Sequence, residues 1–155
     1  MIRLSSITGL PVVYDGRMLG QVEQAVLTPD GRMLRGLVIR RGFGTARWLA
    51  REDVQVLGQV TVIAGRAPGR SPRDANFTLG CVRDTAGLDL GRVTDVYLLP
   101  ESGRVAALEI TLGPVEELRC GRMLARTFAV CPTPDEAGQV LIPTGCTLER
   151  VQDYG

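Results

Sequence analysis

The chain has 155 residues, 45% hydrophobic and 23% charged, with a formal net charge of +1. This composition excludes a disordered chain, and so small a charge supplies no global field to recruit nucleic acid or an anionic membrane. No stretch reaches bilayer-spanning length, and Met1-Ile2-Arg3-Leu4-Ser5-Ser6 lacks the charged-then-apolar order of a signal peptide, so a cytoplasmic address and no integral membrane association are expected.

Along the chain, turn signals separate short β-rich runs. Asp15-Gly16 and Asp30-Gly31 are hairpin-type dipeptides. Between them Gly20 to Leu27 is rich in β-branched and apolar residues, and Met33 to Arg40 follows with Leu37-Val38-Ile39 at its centre. Val54 to Leu57, Gly58-Gln59 and Val60 to Ile63 read as a tight hairpin. Gly65 to Asp74 is rich in Gly, Pro and Arg without apolar period and reads as a linker. Beyond it come strands at Val93 to Leu99 and Val105 to Thr111, with a turn through Glu101-Ser102-Gly103, and a last strand at Gln139 to Ile142. Pro114 to Arg119 has the composition of a short helix start, and Cys131 to Glu136 reads as irregular.

The second half repeats the first. At an offset of 71 residues, Gly16 to Gly42 superposes on Gly87 to Gly113, with identities at Gly16/Gly87, Leu19/Leu90, Gly20/Gly91, Val22/Val93, Leu27/Leu98, Pro29/Pro100, Leu37/Leu108, Ile39/Ile110 and Gly42/Gly113. Arg47-Trp48-Leu49-Ala50-Arg51 returns as Arg122-Met123-Leu124-Ala125-Arg126, and Gly58-Gln59-Val60 as Gly138-Gln139-Val140, with Gly65 echoed by Gly145. The expected organisation is domain 1 at 1–65, a linker at 66–78 and domain 2 at 79–155 with insertions. Units this small sit near the lower limit of a stable core, so the halves are expected to pack on each other or on a second chain. Strand follows strand without an amphipathic helix, so the expected fold is all-β: two tandem small antiparallel β-barrels with little helix. Strict alternation from Val22 puts Gln24 on the core side, although Ala25 and Leu27 look buried. Val93, Asp95, Val96 and Leu98 repeat the conflict, which predicts a β-bulge at the same place in both copies.

Val12 to Val22, with Asp15-Gly16 and Leu19-Gly20-Gln21-Val22, followed by Asp30-Gly31-Arg32 and Leu37-Val38-Ile39, resembles the PRC-barrel domain. Val82 to Val96, with Asp84, Gly87, Leu90-Gly91-Arg92-Val93 and Asp95-Val96, resembles it again. Gly20 and Gly91 would let a strand bend or a neighbouring backbone approach. The chain departs from the pattern at Leu49-Ala50 and Leu124-Ala125, where an apolar-Pro step is common, and the second copy lacks Glu52-Asp53-Val54. PRC barrels occur in the cytoplasmic H subunit of photosynthetic reaction centres, in a ribosome maturation factor and in small bacterial proteins, some with two barrels. The resemblance to this last group implies a non-catalytic bacterial module that docks on a protein or ribonucleoprotein, with no catalytic residue or cofactor to carry over.

The basic residues are 18 arginines and no lysine, which favours fixed, bidentate anion contacts. Arg47, Arg51, Arg122 and Arg126 occupy matched positions, with Arg40 and Arg41 preceding the first block. Two-fold packing could gather them into one partner-binding surface for carboxylate or phosphate, for a protein partner first and RNA or a ribosome-assembly intermediate second. The plainer reading pairs them with Glu52, Asp53 or nearby acids on the rim while Trp48 fills the core. Arg66, Arg70 and Arg73 read as linker spacing or as contacts to an acidic partner. Asp15, Asp84, Asp89 and Asp95 could suggest paired carboxylates for acid/base work, but they sit in turns and at a bulge, where Asp satisfies backbone N–H groups. Cys81, Cys120, Cys131 and Cys146 form no CxxC pair and the chain has no His, so no metal site is expected, and buried or half-buried thiols are. A Cys nucleophile would lack an activating imidazole, and Arg41-Gly42-Phe43-Gly44-Thr45 lacks the Lys of a phosphate loop. Exposed strand edges make a homodimer a further expectation.

Overall fold

Asp15 and Gly16 both take positive φ, 51° and 72°, and close a two-residue turn between β2 (Pro11–Tyr14) and β3 (Arg17–Leu27), as the dipeptide predicts. The structure, a computed structural model, describes residues 1–75, 77–113, 118–119, 121–131, 137–146 and 148–151. Of the predicted helix start at 114–119 the structure describes 118 and 119, which are helical, and of the predicted irregular segment at 131–136 it describes Cys131, which ends a strand; the remainder of both lies outside the described residues. Ahead of β2 stand β1 (Ile2–Arg3) and α1 (Leu4–Ile7). After β3 come β4 (Leu34–Arg40), β5 (Arg47–Ala50), a 3-10 turn (Arg51–Asp53), β6 (Val54–Leu57), β7 (Val62–Ala64) and β8 (Gly69–Arg70). The second half supplies β9 (Leu79–Asp84), β10 (Asp89–Leu98), β11 (Val105–Thr111), β12 (Met123–Ala125), β13 (Ala129–Cys131), β14 (Gly138–Ile142) and β15 (Glu149–Arg150).

The fold is all-β and consists of two curled half-barrel sheets with the same topology. Among the described residues the strand order is β6-β7-β2-β3-β4-β5-β8 in one and β13-β14-β9-β10-β11-β12-β15 in the other. Every pairing is antiparallel except β2 with β7 and its counterpart β9 with β14. A parallel pair needs a long crossover, and here the whole intervening meander provides it by wrapping round to β2.

The bulges predicted from the alternation conflict are present. The register of β3 on β4 shifts between Val22 and Gln24, and that of β10 on β11 shifts between Val93 and Asp95. A second matched shift skips Leu19 in one copy and Leu90 in the other. Beside it Gly20 and Gly91 take φ of 148° and 117°, and the backbone of the next strand passes close. A Cβ on Gly20 would lie 2.6 Å from the Arg40 carbonyl oxygen, and one on Gly91 would press even closer on that of Thr111. Each glycine thus admits the sharp bend that curls its sheet.

The two sheets meet about a local two-fold axis. Met33 bridges Arg104, which lies 71 residues further on and is its own counterpart. Around that bridge the Leu34 N–H donates to the Gly103 carbonyl at 2.7 Å and the Val105 N–H to that of Arg32 at 2.8 Å, two bonds that the same offset interconverts. The contact is isologous, as between subunits of a symmetric dimer, but one chain supplies both sides.

The segments preceding each copy cross over. β1 pairs with β10, Ile2 opposite Leu98 and Arg3 opposite Tyr97. Conversely, the predicted linker packs on the first sheet: Gly69–Arg70 forms its edge strand, and Ala75, 8% exposed, lies against Val26, Val38 and Trp48. Each half therefore borrows strand or cover from outside its own 1–65 or 79–155 span.

The two curled sheets, tandem barrel-like units as expected, share one apolar interior. Val22, Leu37, Ile39 and Leu49 of the first sheet and Val82, Val96, Leu108 and Ile110 of the second belong to one contiguous buried cluster. The expectation that the halves pack on each other accounts for this. A unit of about 70 residues is marginal alone, and each fully buried Leu or Ile adds about 1.5–3 kcal/mol.

Candidate partner-binding surface

The strand register revises the arginine alignment. Leu37 faces Leu49 and Val38 faces Trp48, while their counterparts Leu108 and Glu109 face Ala125 and Leu124. Trp48 is therefore equivalent to Leu124, not Met123, and the Arg-x-Leu-Ala-Arg blocks are out of step by one residue. Arg47 corresponds to Met123, so the four arginines hold no two-fold-related positions. The later echo slips too: Val12 faces Val62 and Val82 faces Val140, which makes Val140 the counterpart of Val62. Val60 sits instead in the turn between β6 and β7, 78% exposed, so that hairpin's second strand begins two residues later than the sequence reading.

Each arginine has its own surroundings. Arg40 Nε donates to Glu23 at 3.0 Å and Nη1 to the Gly44 carbonyl at 2.8 Å. Arg41 and Arg47 are exposed and make no side-chain hydrogen bond or ion pair among the described residues. Arg51 lies across Gly103 and donates through Nη2 to the Glu101 carbonyl at 2.8 Å, while its Nε is buried with no partner among the described residues. Arg126 pairs with Glu149 at 3.3 Å. Arg122 donates to Glu109 at 2.9 Å. The structure does not bring the set onto a shared acid, and the partners differ from Glu52 and Asp53. Nor is Trp48 in the common core. It lies on the opposite face of β4, half-buried over Gly36, with the Arg35 guanidinium 5.6 Å from its ring centre.

Glu109, which the sequence reading passed over, is fully buried and is the hub of a polar cluster. Oε2 accepts from Arg3 Nη2 at 3.0 Å and from the Tyr97 hydroxyl at 2.9 Å; Oε1 accepts from Arg122 Nη1 at 2.9 Å and from Thr94 at 3.2 Å. Arg3 also donates to the Tyr97 oxygen from Nη2 and Nε, at 2.8 and 3.1 Å. Burial first, and donation to Glu109 second, hold the Tyr97 phenol above its ordinary range. In the other copy Val26, Val38 and Ala46 stand at the positions of Tyr97, Glu109 and Arg122, under Ala75 instead of Arg3. One sheet is thus covered by a polar, ion-paired segment and the other by an apolar one. The sequence signal was available as a single charged residue in the strand Val105 to Thr111, opposite Val38 of the repeat.

Three of the aspartates expected in turns and at a bulge satisfy backbone N–H groups, Asp84 and Asp89 at the β9–β10 turn and Asp95 at the bulge of β10. Asp84 Oδ1 accepts from the Ala86 and Leu88 N–H groups, Asp89 from Gly91, and Asp95 Oδ1 from Ser5 and Val96. Cys81 and Cys131 are exposed, which corrects the expectation of buried or half-buried thiols; Cys146 is half-buried, and Cys120 lies outside the described residues. Outward positions of β9 and β13 place the two exposed thiols there. Among the described residues no cluster of three or more His, Cys, Asp or Glu could hold a metal ion. No helix among them is long and apolar enough to cross a membrane.

Two clefts flank the local two-fold, each between the β5 or β12 end of one copy and the hairpin tip of the other. One, of 270 Å³, runs beside β6 and is closed by Arg51, Pro100 and Glu101. Its counterpart, of 480 Å³, is lined by Arg32, Arg104 and Arg126 with Met33, Leu99 and Phe128 among its apolar walls. Strand order, paired bulges and the isologous bridge together define an all-β protein built as an internal two-fold pair of curled sheets. No protein-family model matches the chain, and no curated protein matches it.

Proposed function

We propose that this chain is a tandem PRC-barrel-type scaffold of the bacterial cytoplasm that docks a protein partner and catalyses no reaction. The PRC-like motif positions support the assignment: the Asp15-Gly16 turn, the glycine bends at Gly20 and Gly91 and the bulges after them do the same mechanical work in both copies. The observation that carries the docking reading is the free edge of β6. β7 lies on one side of it, and no described strand lies on the other. Such an edge presents unpaired backbone donors and acceptors to an extended segment, with side-chain specificity supplied by adjacent pockets. Val56 on that edge is 44% exposed, Ile63 on the neighbouring strand is also exposed, and the 270 Å³ cleft lies alongside.

Affinity purification from native cells, with and without nuclease, tests the reading with wild type and Val56→Lys in parallel. Protein partners that survive nuclease and are lost with Val56→Lys are the expected result. Recovery that vanishes on nuclease treatment would favour RNA or ribosome association, and recovery indifferent to Val56→Lys would remove β6 as the docking edge. Light scattering of purified wild type and Val56→Lys tests homodimerisation through the same strand, which would appear as a dimer mass lost in the variant.

A further inference from the structure

On the face away from β6, we infer that the 480 Å³ cleft at the local two-fold binds an acidic peptide segment carrying an apolar side chain. The guanidinium-bearing residues come from both copies: Arg32 from the first hairpin tip, Arg104 from the bridge itself and Arg126 from the end of β12. Arg32 and Arg104 are exposed, and neither side chain has a hydrogen bond or ion pair among the described residues. Arg126 is held by Glu149, which fixes its position and offsets its charge.

The cleft contains an acid of its own, Asp30, which is committed to its own turn. Its Oδ1 accepts from the Thr28 hydroxyl at 2.5 Å and from the Arg32 N–H at 3.0 Å, and those bonds, the hydroxyl first, hold its carboxyl below the usual range. With Asp30 and Glu149 counted, the surplus is a single positive charge, carried by two forks free to reorient toward a ligand. Planar guanidinium forks suit bidentate carboxylate recognition. Met33, Leu99 and Phe128 line the same space and offer a hydrophobic seat between the charges, Leu99 being 42% exposed. A polyanion such as RNA would meet arginines without a continuous basic track, in a chain whose net charge is +1, so the mixed surface fits an acidic-apolar peptide better. This inference concerns a different surface from β6 and does not rest on the edge-docking reading.

The test is fluorescence anisotropy with a labelled peptide of alternating glutamate and leucine, against wild type, Arg32→Glu/Arg104→Glu and the charge-matched control Arg41→Glu/Arg47→Glu. The bridge bonds near Arg104 are backbone bonds, so the cleft variant keeps its fold, as circular dichroism would verify. The expected result is saturable binding, weakened at least about tenfold in the cleft variant and unchanged in the control. It also weakens as salt rises from about 0.1 M to about 1 M, where the screening length falls from about 10 Å to about 3 Å. Equal loss in the control, no binding by wild type, or tighter binding of a single-stranded RNA of the same length would each overturn the proposal.

Discussion

Replacing Glu109 with glutamine keeps the shape of the most buried charged side chain and removes its charge. The carboxylate accepts from Arg3, Tyr97, Thr94 and Arg122, two donors on each oxygen. An amide offers one accepting oxygen, so on the other side its NH₂ meets two donors. Each hydrogen bond to a charged group contributes about 1.5–3 kcal/mol, and breaking a fully buried ion pair costs about 3–5 kcal/mol. Here the Arg3 and Arg122 side chains are 42% and 47% exposed and can rehydrate, which places the expected cost near the lower bound, about 2–3 kcal/mol. That is a substantial fraction of the about 5–15 kcal/mol typical of a folded domain. Urea denaturation at neutral pH, followed by circular dichroism, measures it through the midpoint at constant slope. The first copy shows what an apolar version looks like, so Tyr97→Val/Glu109→Val/Arg122→Ala should cost less than the sum of its three single changes. A Glu109→Gln unfolding free energy within about 0.5 kcal/mol of wild type would refute the reasoning, because the cluster would then be a solvated decoration.

Gly91→Ala should destabilise by about 2–4 kcal/mol, combining a strained positive φ with a clash against the Thr111 backbone. Gly87→Ala, at φ 90° with open space around it, should cost only about 1 kcal/mol; equal urea midpoints for the two would contradict the bend. Because the Tyr97 phenol is raised in the folded protein, its contribution is complete below about pH 10 and declines as pH rises through the folded value. An alkaline fall in unfolding free energy that vanishes in Tyr97→Phe is the expected signature, and an identical fall in that variant would count against it.

Much of the fold was legible because it is written in local chemistry. Asp15-Gly16 specifies a turn by its allowed φ, and the misfit of Gln24 and Asp95 in their alternation marks a bulge wherever the strands are placed. The 71-residue repeat of glycines and aliphatics therefore determined the element order, the all-β class and the two-copy plan. Register across strands was another matter. The Arg-x-Leu-Ala-Arg blocks match in sequence, yet hydrogen-bond pairing with β4 and β11 sets them one residue apart, because pairing answers to the inward side chains and not to identity. Only the tertiary structure decided that Met33 meets Arg104, that β1 and the linker cross to the opposite sheets, and that Glu109 is buried beneath Arg3. Those contacts join residues distant along the chain, and no local propensity encodes them. They follow from two small sheets, each marginal by size, that bury their apolar faces in one shared cluster.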